Sequence, residues 1–124
     1  MAETQSFVDT LGVYDRTAED GTAHLQLDVT DQHLNEAGTV HGGVLATLVD
    51  AAMGQAVRSR TDEDDVPATS QLTITYLRPG KPGTVQVTGR VSKQGEHLTV
   101  CEADVEQDGR TLVHALATFA VLHG

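Results

Sequence analysis

The chain has 124 residues, which is enough for one domain with a packed core and too few for two. It carries 18 acidic and 8 basic residues, and its net charge of −10 argues against nucleic acid or an anionic membrane as a partner, because both require basic surface. A single cysteine excludes a disulfide framework, and no apolar run approaches the roughly 20 residues that span a bilayer. We therefore expect one cytoplasmic domain over residues 1–124, without a cofactor.

The acidic excess also bears on the source of the protein. Aspartate outnumbers glutamate, and lysine occurs only at Lys81 and Lys93. Many carboxylates with few lysines suit a protein that stays soluble in concentrated salt, where the Debye length falls to about 3 Å at 1 M and self-repulsion is screened. The same composition also fits an ordinary acidic cytosolic protein, so a salt-loving source is one of two interpretations.

The first third of the chain predicts one short helix and two strands. Apolar residues at helical spacing indicate a helix over Gln5–Gly12 that ends at the glycine. Val13–Ala18 is a weak strand candidate, whereas His24–Val29 alternates apolar and polar residues as a half-buried strand does. The polar segment Thr30–Thr39 is predicted to be a loop with at most one helical turn.

Residues 41–59 form the only long helix that the sequence predicts. Its apolar side chains point in nearly every direction, which is typical of a buried helix. Thr47, Asp50 and Gln55 make a narrow polar stripe, and Asp50 is the only ionisable group in the buried part of the helix. The acidic segment Asp62–Asp65 is expected to be a solvated loop.

Four strands joined by short turns follow, over Thr69–Leu77, Thr84–Ser92, Leu98–Glu106 and Thr111–Leu122. The last is almost continuously apolar, which favours a central strand buried on both faces. Hairpin-length turns make these strands antiparallel. One helix about 10 Å wide cannot cover six strands spaced about 4.8 Å apart unless the sheet curls around it. The pattern predicts an α+β hotdog fold, a curved antiparallel sheet of about six strands wrapped around one central helix, with uncovered strand edges that favour a dimer.

One segment carries the functional signal: Asn35-Glu-Ala-Gly-Thr-Val-His41-Gly42-Gly43, followed by Asp50. It resembles the hotdog-fold acyl-CoA thioesterases of the PaaI-like, phenylacetate-pathway branch. That family carries Asn, Gly, His-Gly-Gly and an acidic residue nine positions after the His. The later run Thr-Ile-Thr-Tyr-Leu-Arg-Pro matches the family's strand and turn, so the resemblance covers most of the chain.

Thioester hydrolysis requires donors for the oxyanion and a base or nucleophile for the carbonyl carbon. Gly42 and Gly43 expose N–H groups at the positive end of the helix dipole and let a substrate approach closely, so Gly43 is expected to contact the substrate. The resemblance assigns the oxyanion donor to Gly42. Asp50, the expected base or nucleophile, lies eight residues later, about 12 Å along a helix. Either another segment supplies a base, or Asp50 reaches a carbonyl held by a second subunit. The resemblance implies the second arrangement, in a homodimer that pairs further into a dimer of dimers.

Three other residues are assigned to the site, each with a structural alternative. Asn35 would orient the attacking water or hold the loop, and it could equally be a turn or cap residue. His41 is expected to position the start of the helix rather than act as a base, or simply to cap it. Thr69 falls where relatives place a hydroxyl near the acidic residue, although Ser70 could take that place.

Cations for the phosphates of CoA are scarce in this sequence. Arg78 and Lys81 flank prolines on a turn, Lys93 lies at a hairpin, and Arg90 is a fourth candidate. Each could equally be an ordinary surface charge. The net charge of −10 should slow the encounter with polyanionic CoA at low salt.

Two other functions stay open: a hotdog dehydratase or hydratase, whose acid spacing differs, and a non-catalytic acyl-thioester-binding module. Cys101 lies in mid-strand and is expected to be a core residue rather than a nucleophile. The histidine spacing fits no metal site, and no Gly-x-Ser-x-Gly motif indicates serine-hydrolase chemistry.

Overall fold

A computed structural model describes residues 6–123 of the chain. In chain order the elements are α1 (Phe7–Leu11), β1 (Tyr14–Glu19), β2 (Thr22–Val29), a 3₁₀ turn (Asp31–His33), α2 (Gly42–Arg58), β3 (Val66–Tyr76), β4 (Gly83–Gln94), β5 (Leu98–Gln107) and β6 (Arg110–Leu122). The predicted leading helix is confirmed over Phe7–Leu11, with Gly12 as its left-handed cap, and Gln5 lies outside the described residues. The other predicted elements are found within a few residues of their expected ends.

The six strands form one antiparallel sheet in the order β1-β2-β4-β5-β6-β3. Helix α2 contacts every strand of this sheet, which is the arrangement expected when a sheet curls around one helix. No helix within residues 6–123 is long and apolar enough to cross a membrane.

The core lies between α2 and one face of the sheet. Alternating strand residues such as Leu25 and Leu27 on β2 and Val85 and Val87 on β4 are buried against the helix. Gly89 lies where α2 crosses β4: a Cβ atom there would come within 2.6 Å of the Ala52 backbone. A residue without a side chain is therefore required for the helix to pack this closely on the sheet.

Strand β6 lies between β5 and β3, but the prediction that both of its faces are buried is wrong. Val113, Ala115, Ala117 and Phe119 are buried on the face towards α2. Leu116, on the opposite face, is 48% exposed. The helix covers only one face of the sheet, and an apolar run does not reveal by itself which of its residues have a covering layer.

Strand β3 is an edge strand, because β6 is its only neighbour among the described residues. Its outer row of backbone N–H and C=O groups is free to pair with another chain. Val66 and Tyr76, at the two ends of the strand, are 48% and 52% exposed. This edge is 11 residues long.

Candidate active site

Helix α2 begins at Gly42 and is capped by His41. Nδ1 of His41 accepts a hydrogen bond of 2.9 Å from the Gly43 N–H, so the neutral ring carries its proton on Nε2. The His41 N–H donates to the carbonyl of buried His33 at 2.8 Å, which fixes the chain where it enters the helix. The position of the imidazole fits the expected helix-start role, and its acceptor nitrogen is already in use.

The Gly42 N–H lies at the start of α2 and has no hydrogen-bond partner within residues 6–123. Gly42 and Gly43 line a groove of about 500 Å³. Its other walls are Val40, Leu45 and the strand-end segment from Tyr76 to Gly80. A free donor at the positive end of a helix, open to a groove, is what a developing oxyanion requires.

Asn35 organises its own loop. Its Oδ1 accepts hydrogen bonds from the N–H groups of Ala37 and Thr39, at 3.0 and 3.1 Å, and its Nδ2 donates to Thr39 Oγ1 at 2.9 Å. Both ends of the amide are therefore occupied within residues 35–39. Of the roles considered for Asn35, this geometry favours a residue that holds the loop leading to the helix.

Asp50 is half-buried on α2, and the Thr69 hydroxyl on β3 donates to its Oδ1 at 2.6 Å. Oδ2 of Asp50 accepts no hydrogen bond from the described part of the chain. Ser70, the other candidate, instead lies 2.5 Å from the Thr118 hydroxyl on the opposite face of the sheet. The sheet register shifts between Thr69 and Gln71, and this bulge keeps Thr69 facing α2.

Asp50 lies in a different groove from Gly42. The Asp50 groove has a volume of about 300 Å³ and mostly apolar walls, formed by Phe7, Val8, Ala46, Thr47, Ala51 and Leu72. Neither Gly42 nor Gly43 lines it, and Asp50 does not line the Gly42 groove. Within one chain Gly42 and Asp50 therefore line separate grooves, which agrees with their eight-residue separation along the helix.

Basic side chains gather beside the Gly42 groove. Arg78 lines both that groove and a neighbouring one of about 620 Å³, which Lys81, Arg110 and Asp108 also line. Arg78 donates to the Thr111 carbonyl at 2.8 Å, and the Gln107 side chain bonds the main chain of Lys81 at 2.8 and 2.9 Å. The sequence analysis did not name Arg110 as a candidate. Its position directly after a hairpin turn, paired with Gln107, could have indicated that it lies at this end of the sheet.

The remaining two candidate cations lie elsewhere. Lys93 is close to the end of β4, whereas Lys81 precedes the start of this 12-residue strand, so the two are on the order of 35 Å apart. Arg90 bonds Glu102 at 2.9 Å and Asp104 at 3.2 Å, so its charge is already paired. Within one chain, neither Lys93 nor Arg90 lines the groove of Arg78 and Lys81.

Cys101 is fully buried in the core, and burial raises the pKa of its thiol to about 11. The expectation that it is a core residue is therefore confirmed. The described residues contain no group of three or more His, Cys, Asp or Glu side chains that could hold a metal ion.

Tyr76 is a site residue to which the sequence assigned no role. Its hydroxyl donates to the Gly42 carbonyl at 2.9 Å, and the ring forms part of the Gly42 groove. The residue stood in the Tyr-Leu-Arg-Pro run that marked the resemblance, but its position in a strand gave no indication of a contact with the helix start.

A sequence profile of the thioesterase superfamily matches residues 37–114, more than half of the chain. The chain belongs to the thioesterase superfamily. The matched residues of this superfamily member include the helix-start segment, Asp50, Thr69 and the basic turn.

Curated relatives and solved structures agree with this assignment. Mouse acyl-coenzyme A thioesterase 13 is 37% identical over 82 residues, which are 64% of this chain and 57% of the mouse protein. A Caenorhabditis elegans relative is 38% identical over 100 residues, which are 78% of this chain and 59% of that protein. The chain thus spans less than two thirds of the length of these two relatives.

The structure of Escherichia coli PaaI, from the phenylacetic acid degradation operon, resembles this superfamily member with a TM-score of 0.85. The two chains are 30% identical, and the match covers 94% of this chain and 84% of that one. The PaaI-like resemblance and the α+β hotdog fold are both confirmed.

Proposed function

We propose that this thioesterase-superfamily member hydrolyses acyl-CoA thioesters to a free acid and CoA. Asp50 of one chain acts on a thioester carbonyl that the Gly42 N–H of a second chain holds. The proposal is carried by two groups: within residues 6–123 the Gly42 N–H at the helix start has no hydrogen-bond partner, and the Asp50 carboxylate has one hydrogen bond, from Thr69. The names of the mouse and Escherichia coli relatives support the substrate class.

The reaction adds water across the thioester bond. The Gly42 N–H and the helix dipole stabilise the oxyanion that forms on the carbonyl oxygen. Oδ2 of Asp50 either takes a proton from the attacking water or attacks the carbonyl carbon itself, which gives a mixed anhydride that water then opens. Either way the C–S bond breaks, the thiolate of CoA leaves and takes up a proton, and the acid is released. Single turnover in ¹⁸O-labelled water detects direct attack when water opens the anhydride at the Asp50 carbonyl, because only that route places the label in Asp50.

Two chains are needed because Gly42 and Asp50 serve separate grooves in one chain. Thr69, which contacts Asp50, belongs to β3, the edge strand with a free row of backbone groups. Pairing of two β3 edges would place a second chain beside Asp50 and generate two equivalent sites by symmetry. A further pairing into a tetramer is compatible with this arrangement.

Different parts of the substrate bind in different grooves. We assign the acyl group to the groove beside Asp50, whose walls from Phe7, Val8 and Leu72 suit an aliphatic or aryl-acyl chain. We assign the CoA phosphates to Arg78, Lys81 and Arg110, beside the Gly42 groove. Lys93 is not included, because it lies at the other end of β4.

The deciding experiment is thiol release from a panel of short, medium and aryl-acetyl CoA esters, at low and at molar salt. Wild type is run beside Asp50→Asn, with a blank for Cys101. Turnover that is lost in Asp50→Asn supports the proposal, and the best ester names the acyl class. Saturable binding without thiol release would instead indicate a binding module, and a changed acyl chain with its thioester intact would indicate a dehydratase or hydratase.

Mixing two inactive variants tests whether the site is shared. Gly42→Pro removes the donor, Asp50→Asn removes the carboxylate, and each alone should be inactive. If each site takes one group from each chain, a re-equilibrated equimolar mixture contains mixed dimers with one intact site. About a quarter of wild-type activity should then return. A mixture that stays inactive would show that both groups act from the same chain.

A further inference from the structure

The peptide unit between Gly42 and Gly43 is held at both ends by side chains. Its N–H, that of Gly43, donates to Nδ1 of His41 at 2.9 Å. Its C=O, that of Gly42, accepts from the Tyr76 hydroxyl at 2.9 Å. Two consecutive glycines at a helix start would otherwise be the most mobile backbone in the site, because they lack the Cβ atoms that restrict φ and ψ.

Tyr76 is itself fixed from the strand side. The next residue, Leu77, donates its N–H to the Leu112 carbonyl at 2.8 Å, which anchors the end of β3 to β6. The N–H of Val40, two residues before the helix, donates to the Gly80 carbonyl at 3.0 Å. The helix start and the turn after β3 are therefore tied together on both sides of the Gly42 groove.

The Tyr76 ring also lies against the face of Gly42. A Cβ atom on Gly42 would lie 3.4 to 3.6 Å from Oη, Cζ and Cε1 of Tyr76, which is ordinary van der Waals contact. The ring thus limits the movement of the residue whose N–H is free, while its hydroxyl holds the adjoining carbonyl.

We propose that Tyr76 is a positioning residue, which with His41 fixes the 42–43 peptide and thereby aims the Gly42 N–H at the oxyanion; this rests on the proposed thioesterase function. A donor that is already aimed needs no reorganisation as charge develops, and therefore acts on the transition state more than on the bound substrate. Loss of the Tyr76 hydroxyl should consequently lower kcat and leave KM nearly unchanged.

The sequence offers a direct probe of this peptide. Gly42–Gly43 is the only Gly-Gly pair among the twelve glycines, and no glycine neighbours a serine. Protein labelled with ¹³C-carbonyl, ¹⁵N-glycine therefore gives a single HNCO cross-peak, from the Gly42 carbonyl and the Gly43 N–H. Because hydrogen bonding deshields a carbonyl carbon, Tyr76→Phe should move that peak upfield in ¹³C.

The experiment combines this peak with kinetics on Tyr76→Phe and Tyr14→Phe. Tyr14 is the matched control, since it is the only other tyrosine and its hydroxyl donates to Asp28 at 2.8 Å, on β2. We expect Tyr76→Phe to lower kcat about threefold to tenfold with KM within about twofold, and to shift the peak. Tyr14→Phe should change neither.

Three results would overturn the proposal: an unmoved peak, an unchanged kcat in Tyr76→Phe, or a raised KM at constant kcat, which would make Tyr76 a substrate contact. Failure of the proposed function is a separate result, seen as wild-type protein that releases no thiol from any ester. In that case the kinetic role of Tyr76 is rejected with it, and the HNCO peak alone shows whether the hydroxyl holds the peptide.

Discussion

The Thr69 hydroxyl donates a hydrogen bond of 2.6 Å to Oδ1 of Asp50, which joins the edge strand β3 to the central helix. The bond leaves Oδ2 available for chemistry and restricts rotation of the carboxylate. We predict that Thr69→Val lowers kcat about 10- to 150-fold, because a hydrogen bond to a charged group is worth roughly 1.5 to 3 kcal/mol. Steady-state thiol release measures this effect.

Two matched variants test the same prediction. Thr69→Ser keeps the hydroxyl and should retain most of the activity. Ser70→Ala should be close to wild type, because the Ser70 hydroxyl faces Thr118 rather than Asp50. Equal losses in Thr69→Val and Ser70→Ala would indicate that β3 has been disturbed in general and would reject a specific role for Thr69.

The Gly42 N–H can be removed without disturbing the helix. Gly42 is the first helical residue, where proline is favoured, and His41 has φ −58° and ψ 133°, which suit a residue before proline. We predict that Gly42→Pro lowers kcat about 100- to 1000-fold, as expected for the loss of an oxyanion donor. Gly42→Ala is the control, since a Cβ there makes only ordinary contacts with Tyr76 and the N–H remains. Similar losses in both variants would point to steric blockage of the groove.

We expect the groove lined by Arg78, Lys81 and Arg110 to bind the nucleotide part of the substrate. We predict that Arg110→Gln raises KM for acyl-CoA a few-fold and that molar salt removes the difference, because screening weakens exposed charge pairs. KM for the matching thioester of N-acetylcysteamine, which lacks phosphates, should not change. Lys93→Gln serves as the distant control. A raised KM for the truncated ester would show that Arg110 affects the acyl or carbonyl part of the site.

The sequence could predict the elements that depend on local pattern. The short turn predicted between the last two strands is confirmed, since Asp108 and Gly109, between β5 and β6, have φ of 53° and 77°, the positive values that a tight two-residue turn requires. The helix-start glycines and Asp50 were found by motif. Helix geometry also predicted that Gly42 and Asp50, eight residues apart, cannot reach one carbonyl within a chain, and in the structure they line two separate grooves.

The features that the sequence did not predict depend on tertiary contacts. A bulge in β3 decides between Thr69 and Ser70: it leaves Thr69 on the face towards α2 and Ser70 on the opposite face. Simple alternation of side chains along a strand does not predict such a bulge. Tyr76 contacts Gly42 from the end of β3, and Arg110 lies beside Arg78 because the turns after β3 and β5 line one groove. The exposure of Leu116 on β6 was likewise not predicted, because an apolar strand does not show which of its faces another layer covers.

Cys101 should be inert while the protein is folded. Burial raises the pKa of its thiol to about 11, so the reactive thiolate is scarce at the pH of a thiol-release assay. We predict that native protein shows almost no reaction with an aromatic disulfide reagent at pH 8, and that unfolding in guanidinium reveals one thiol per chain. Cys101→Ala should keep wild-type turnover. A rapid thiol signal from native protein would contradict the buried position.

On the face of the sheet away from α2, Asp104 lies between the basic side chains of His114 and Arg90. His114 Nδ1 is 2.7 Å from one oxygen and Arg90 Nη2 is 3.2 Å from the other. Burial alone would raise the pKa of Asp104, but the hydrogen bonds from His114 and Arg90 outweigh it and hold the pKa below its ordinary value. The folded state therefore binds this proton less readily than the unfolded state, and the resulting stability is present at neutral pH.

We accordingly predict that Asp104→Asn lowers the free energy of unfolding by about 1 kcal/mol at pH 7. The difference from wild type should persist down to the unfolded-state pKa of about 3.9 and disappear as the pH falls through the lower folded-state value. Urea titrations at fixed protein concentration between pH 7 and 2.5 measure it, with Asp108→Asn, in an exposed turn, as the control. A difference that stays constant to pH 2.5 would mean that Asp104 stabilises the sheet through packing rather than through its charge.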